Sequence, residues 1–427
     1  MRREVKRGRT LLVDGPASVD HFDGTVEVLG ARVEEGKVVI REGKRVPFMV
    51  RKRTIFNIAL GEGASFEEVK GSTIPPSWED AIKEIKVCKR PLTVMVMGEV
   101  DSGKTSFCTY LLNRTLRMKW KPAIIDADLG QSDIGPPGTI GFSPITKPII
   151  DLFEIEAERA YFVGLMNPSQ AMHWVIEGLV RLNSSVERAD LDLLVINTDG
   201  WVSGEEAASY KVGLTEKVLP DVVVGMQEAD ELTAILSTLK ETKTLAVASP
   251  SAIKKRSRGK RKILRELGYK KYLRKAKVQS SPLNWVRVER VLMGTGNIPQ
   301  AERMERIREI LGSAPVYCEE MPTTIFIVSR RGSWVDEEQM RRIEEASGKW
   351  VRVIRDGEEE GLLVGLHDET GAFLGIGIID GIDYRRRAIK VFTPVTKKLS
   401  TIRVGQIKLD KNGREIGLSQ ALTESPS

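Results

Sequence analysis

Hydrophobic and polar residues follow two rhythms along this chain. Over residues 1 to about 85, as in "TVEVLGARVEEGKVVIREGKRVPFMVRKRTIFNIALGEG", apolar and polar positions alternate and glycines recur every few residues. A period of two broken by turn residues predicts short half-buried strands, hence a small β-sandwich or barrel. "PPSWEDAIKEIK" then predicts a linker entering a short helix. From about 86 to 280 the apolar residues gather into runs: "LTVMVMG", "PAIIDAD", "AYFVGL", "LDLLVINT", "DVVVGM" and "TLAVAS". Helix-period stretches lie between them, in "KTSFCTYLLNRTLRMK", "SQAMHWVIEGLVRLNSS" and "EADELTAILSTLKE". Continuous apolar strands separated by helices predict βαβ units around a mostly parallel sheet, whose ligands sit at the carboxyl ends of the strands. From 281 to 427 the β texture returns, with one helix predicted at "DEEQMRRIEEASG" and a frayed tail at "SQALTESPS". The expected organisation is therefore a β-rich domain over 1–85, an α/β domain over 86–280 and a β-rich α+β domain over 281–427.

The first apolar run leads into "GEVDSGKT", residues 98–105, which satisfies G-x-x-x-x-G-K-[ST] in full. A strand precedes it and an amphipathic helix follows, the context a phosphate-binding loop requires. Gly98, Glu99, Asp101, Ser102, Gly103, Lys104, Thr105 and Ser106 are the expected nucleotide-binding set. Backbone N–H groups and the helix N-terminus favour phosphate there. Lys104 is expected to reach the β- and γ-phosphates, and the Thr105 hydroxyl to bind Mg²⁺.

"DADLGQ" ends the second run and presents Asp126 and Asp128. One carboxylate can hold hydrated Mg²⁺ and the other can accept a proton from an incoming hydroxyl; equally, both could merely cap the strand end. Gln131 follows within reach. "PPGTIG", residues 136–141, predicts a rigid turn, with Gly138 and Thr139 facing a second substrate. "NTDGW" ends a later strand on the same sheet edge, which brings Thr198, Gly200 and Trp201 near the phosphates, although a Trp is more commonly a core residue.

Charge sharpens this picture. The chain carries a formal +7, but residues 254–275, "KKRSRGKRKILRELGYKKYLRK", hold twelve Lys/Arg and one Glu, so the remainder is net acidic. A basic segment after the last α/β strand predicts a lid and a polyanionic partner. A helix would align Arg258, Arg261 and Arg265 on one face. A guanidinium over the γ-phosphate would offset transition-state charge, while outlying cations would grip a phosphate backbone. Three Cys and three His are scattered, with no zinc or disulfide spacing. The basic N-terminus is followed by no apolar stretch of signal-peptide type, and no run of membrane-spanning length occurs, so a soluble, cytoplasmic protein is expected.

These residues together resemble the polynucleotide 5′-hydroxyl kinase family, which includes the RNA kinases of tRNA splicing, mRNA 3′-end cleavage and pre-ribosomal RNA processing, and shorter archaeal stand-alone enzymes. The resemblance covers most of the chain. It implies an α/β P-loop domain with a central mostly parallel sheet, flanked by N-terminal and C-terminal β-rich domains. It implies ATP or another nucleoside triphosphate with Mg²⁺ as cofactors, an RNA 5′ end as acceptor with DNA left open, and no obligate protein partner. By the same resemblance Asp128 is the base and metal-shell acid, Asp126 is its neighbour in the motif, and Lys104 acts on the phosphates. Thr198 and Trp201 form a clasp on the RNA end, and Arg261 and Arg265 carry the lid's Arg-x-x-x-Arg spacing. The N-terminal domain helps hold the base, through residues the sequence does not reveal. Two other readings stay open: a non-catalytic ATP-binding scaffold and a regulatory P-loop NTPase. A GTP-reading N/T-K-x-D motif is not offered by "GMQEAD", the nearest text.

Overall fold

A computed structural model describes residues 1–34, 36–252 and 255–422. Lys254, the first residue of the expected lid, and residues 423–427 of the expected frayed tail lie outside the described residues. The chain packs as two compact units, Met1–Gly268 and Tyr269–Ser427.

The first unit opens with two antiparallel sheets. One has four strands in the order Arg2–Val5, Thr54–Leu60, Ala17–Phe22, Gly36–Ile40, and the other has five, with Arg45–Lys52 and Arg9–Asp14 near its middle. Strands such as Ala17–Phe22 and Arg45–Lys52 alternate buried and less buried positions, as the period of two predicts. Their inner faces share one core, in which Val19, Ile40 and Phe56 of one sheet meet Leu11, Val26 and Phe48 of the other. This is a β-sandwich.

Helix Pro76–Lys86 leads into a seven-stranded sheet. Its strand order is Arg159–Phe162, Thr139–Pro144, Pro122–Ala127, Leu193–Thr198, Leu92–Gly98, Val222–Gln227, Lys243–Ala248. The last five are mutually parallel; four of them are almost wholly buried, while in the edge strand Lys243–Ala248 only Val247 is buried. Helices cover both faces. Pro76–Lys86 and Lys104–Arg117 pack on one core, and Met172–Ser185, Glu205–Val218 and Thr233–Thr238 pack on the other.

Several sequence expectations are corrected. The rigid turn expected over residues 136–141 is a turn only as far as Gly138; from Thr139 the chain is a buried strand, antiparallel to Pro122–Ala127. The run read as a parallel strand at "AYFVGL" is an antiparallel edge strand. The amphipathic stretch 228–241 yields only the short helix Thr233–Thr238, because Asp230 and Gln227 turn the chain first. Helix Glu205–Val218 was not expected: its polar and apolar residues alternate with little contrast, and Lys211 sits on its buried face.

The second unit has a seven-stranded sheet, with Leu362–His367 at its centre, and a three-stranded sheet of Tyr317–Glu320, Thr324–Ser329 and Trp350–Arg355. The expected helix forms at Glu337–Ser347, started by a capping box in which Asp336 and Gln339 satisfy each other's backbone N–H. A further helix, Ala301–Leu311, accompanies it on the small sheet.

Candidate active site

The phosphate loop forms as the sequence requires. Strand Leu92–Gly98 is fully buried, and Gly103, at φ +105°, turns the chain so that Lys104 begins the helix Lys104–Arg117. An L-residue with a Cβ is strained at that φ, so the second glycine of the motif is a backbone requirement. Lys104 is buried, and its Nζ donates to the carbonyls of Gly98 (2.9 Å) and Glu99 (2.7 Å). Burial lowers its pKa, against the opposing pull of the Asp128 and Asp199 carboxylates.

Asp126 and Asp128 sit at the end of the neighbouring strand in different surroundings. Asp126 is wholly buried: one oxygen accepts from the backbone N–H of Asp133 (2.7 Å) and of Ile134 (3.2 Å), the other from Asn197 Nδ2 (2.9 Å). Burial, with Asp133 and Asp128 close by, pushes its pKa up to about 7. Asn197 also reaches Thr105 Oγ1 at 3.5 Å, so Asp126 acts on the loop through that amide. Asp128 is less enclosed and accepts from the Gln131 backbone N–H at 3.1 Å. Burial raises its pKa and Lys104 offsets part of the rise.

Asp128, Lys104, Thr105 and Ser106 line one cavity of about 400 Å³. Its opposite wall is the β-sandwich, through Leu12, Pro16, Pro47 and residues 41–45. That wall is fastened by charge. Arg41 spans Asp133 and Asp151, with Nε 2.6 Å from the latter, and Lys44 lies 3.1 Å from Asp151. Burial alone would raise the Asp151 pKa, but Lys44 and Arg41 hold its carboxyl well below the usual range. Arg45 grips Asp14 through two 2.8 Å bonds and donates to the Ala252 carbonyl at 3.2 Å.

The basic segment forms helix Arg258–Tyr272 and closes over the cavity. Asp101, at the tip of the phosphate loop, accepts from the Arg256 backbone N–H (2.8 Å) and from Arg261 Nη1 (3.2 Å). Leu264 packs on Gly43 so closely that a Cβ there would lie 3.2 Å from it. Arg265 lines the cavity, whereas Arg258 is exposed.

On the clasp side, Gly200 is pressed against the loop: a Cβ would lie 2.6 Å from Val100 N and 2.8 Å from Val100 Cα. Trp201 stacks on Tyr210, with centroids 5.5 Å apart. Asp199 holds this corner, accepting from Trp201 N (3.0 Å), Tyr210 OH (2.9 Å) and the fully buried Lys211 (3.0 Å).

Residues 98–275 match the family model of the mRNA cleavage and polyadenylation factor CLP1 P-loop. The polyribonucleotide 5′-hydroxyl-kinase of Pyrococcus furiosus is 32% identical over 349 residues, covering 81% of this chain and 95% of that one. The chain belongs to the polyribonucleotide 5′-hydroxyl-kinase family. The kinase of the same name from Methanocaldococcus jannaschii is 29% identical, covering 81% and 94% of the two chains. In fold the chain is similar to Clp1p as seen in its complex with Pcf11p, with a TM-score of 0.64 at 11% identity over 96% of this chain and 97% of that one.

For a kinase of this family, the structure gathers Asp101, Gly103, Lys104, Thr105, Ser106, Asp128, Gln131 and Arg265 into the cavity wall, with Arg261 beside them through Asp101. Gly98 and Glu99 act through carbonyls that hold Lys104, and Glu99 also accepts from Ser203 Oγ at 3.2 Å. Ser102 is buried, and its Oγ has no hydrogen-bond partner among the described residues. Other expected residues stand apart from the cavity lining. The Thr198 hydroxyl donates to the Val96 carbonyl (2.9 Å) inside the sheet, Thr139 donates to the Pro136 carbonyl (2.7 Å), and the Gly138 carbonyl receives the Val163 and Gly164 N–H groups. Gly200 abuts Val100 of the loop, Trp201 stacks on Tyr210, and the exposed Arg258 is not part of the lining. Arg41, Lys44, Asp151, Arg256 and Lys211 were not singled out from the sequence. Their only signal there was charge within β-rich, basic or helical text, which usually marks a solvated face.

No helix among the described residues is long and apolar enough to cross a membrane.

Proposed function

We propose that this chain transfers the γ-phosphoryl group of ATP to the 5′-hydroxyl of RNA. The observation that carries the reading is the position of Asp128: it lines the same cavity as Lys104 and Thr105, under a cationic lid. Burial raises the basicity of this carboxylate, which suits it to take the proton of an attacking hydroxyl. The base of the nucleotide rests on an apolar wall of Leu12, Pro16 and Pro47 from the sandwich and Ile74 from the linker after it, so residues 1–85 serve the base and residues 86–280 the phosphates and acceptor. Lys104 and the lid arginines Arg261 and Arg265 offset phosphate charge.

The donor set at the cavity fits Mg²⁺, which keeps several waters and takes one or two protein oxygens beside phosphate. The Thr105 hydroxyl and Asp128 carboxylate would hold it, where it would neutralise charge on the phosphates. Both Asp126 oxygens are already taken by N–H donors, which gives it the task of orienting Thr105 through Asn197. The clasp around Trp201 and the exposed lid cations Arg258, Lys260 and Lys262 supply the surface for the strand end and its backbone.

The test is 5′-end labelling with γ-labelled ATP and Mg²⁺ on RNA and DNA oligonucleotides bearing a 5′-hydroxyl. Asp128→Asn is expected to bind ATP within about threefold of wild type and to lose at least about a thousandfold in transfer. Absence of 5′ label with the wild-type protein rejects the kinase reading; full transfer by Asp128→Asn removes that residue from the chemistry.

A further inference from the structure

Arg256 ties three walls of the cavity together. Its Nη1 donates to Gln131 Oε1 at 2.9 Å and its Nε to the Gly43 carbonyl at 3.2 Å, while its backbone N–H reaches Asp101 Oδ2 at 2.8 Å. A guanidinium has donors only, so the Gln131 atom facing it must be the carbonyl oxygen. The amide orientation is thereby fixed, and Nε2 is turned the other way. That nitrogen is buried and has no hydrogen-bond partner among the described residues. A buried amide donor without an acceptor is costly and calls for an explanation. The residue lines the cavity, and its backbone N–H is bonded to Asp128 at 3.1 Å, so the unused donor belongs to the side chain next to the base.

We infer that Gln131 Nε2 donates a hydrogen bond to an oxygen of the phosphoryl group in transfer, and that Arg256 is the positioning residue that turns the amide to do so. The inference rests on the kinase reading for its chemistry. It gives the lid a second task. Besides bringing positive charge, the closed lid orders a neutral donor on the acceptor side, so the transition-state contact exists only when Arg256 is seated. Donors prepared in this way act on the transition state more than on the bound ground state.

The test uses the full chain with Mg²⁺ and compares ADP with ADP–fluoroaluminate, a mimic of the transferring phosphoryl group, by calorimetric titration. Gln131→Glu keeps an oxygen toward Arg256 and replaces Nε2 with a second oxygen. It is expected to lose at least about tenfold in affinity for the mimic, with ADP affinity within about threefold of wild type. Arg256→Ala is expected to give a similar loss, Arg256→Lys to recover part of it, and Arg256→Ala to add less than about threefold in a Gln131→Ala background. Circular dichroism of each variant confirms folding, and Gln131→Ala stands in should Gln131→Glu not fold. Wild-type affinity for the mimic in Gln131→Glu and Gln131→Ala overturns the inference. So do multiplying effects of Arg256→Ala and Gln131→Ala, which would make the Arg256 side chain a lid anchor acting through Gly43 and Asp101 rather than through Gln131. The kinase reading fails separately, if the wild-type protein prefers the mimic to ADP yet labels no 5′ end.

Discussion

Lys211 offers the sharpest test of how the corner around Asp199 and Trp201 is built. Its side chain is 0% exposed, and its Nζ lies 3.0 Å from Asp199 Oδ2 and 3.0 Å from the Asp199 carbonyl. Lys211→Met keeps the length and most of the volume of the side chain and removes its charge. Asp199 would then be left without its cation at 5% exposure, with Trp201 N–H and Tyr210 O–H as its remaining donors. Breaking a buried pair from one side costs about 3–5 kcal/mol, and the two surviving donors place this case at the lower end, about 3 kcal/mol. Removing both charges, in Lys211→Met with Asp199→Asn, is expected to recover at least half of that, because no uncompensated charge is left behind. Urea unfolding followed by tryptophan fluorescence measures both, since Trp201 stacks at this corner. A loss below about 1 kcal/mol in the single variant, or a double variant as unstable as the single, refutes the reasoning.

Three further outcomes are expected. Gly200→Ala places a Cβ 2.6 Å from the Val100 backbone nitrogen, so the phosphate loop must shift; nucleotide affinity should fall at least about tenfold in a fluorescent-nucleotide titration, and wild-type affinity would sever the two loops. Arg41→Met strips Asp133 and Asp151 of their shared cation, which should weaken nucleotide binding and speed proteolysis within the β-sandwich; an unchanged digestion pattern counts against that wall being fastened by charge. His367 is buried in the second unit beside Arg403, and burial first, then that cation, lowers its pKa to about 4. The folded state therefore excludes a proton that the unfolded chain binds: its contribution is intact above pH 6.5 and is lost as pH falls toward 4, by up to about 3 kcal/mol. Comparing the unfolding free energies of wild type and His367→Asn at pH 7.5 and 4.5 isolates this slope, and parallel pH dependences would exclude it.

The phosphate loop could be read from the sequence because all its parts are contiguous: eight residues carry the strand end, the left-handed turn and the helix start. The parallel sheet was legible because its four inner strands are buried on both faces and appear as unbroken apolar runs. Thr139–Pro144 was hidden by two prolines and a glycine just ahead of it, which look like a turn and end in a strand. Helix Glu205–Val218 was hidden because Lys211 interrupts the buried stripe that would mark it. Thr198 looked available in its motif, yet its hydroxyl is consumed by Val96 of the adjoining strand, a pairing visible only once the strand order is known. The site's charged fasteners were illegible for the same reason: Arg41 finds Asp133 and Asp151 across 92 and 110 residues of chain.

Those separations also set the order in which the molecule can be assembled. The sandwich closes on strand pairs that lie wholly within the first 70 residues, such as Arg9–Asp14 with Ser65–Lys70. Its cavity-facing wall must wait for Asp133 and Asp151, and the last contacts over it, Arg45 to Ala252 and Arg256 to Gly43, span 207 and 213 residues. Contacts of such long sequence separation carry a large loop-closure entropy and form late. As the first unit emerges from the ribosome it therefore completes its sandwich, then its sheet, and closes the nucleotide chamber last, so a bound nucleotide can reward only the final step of that unit's folding.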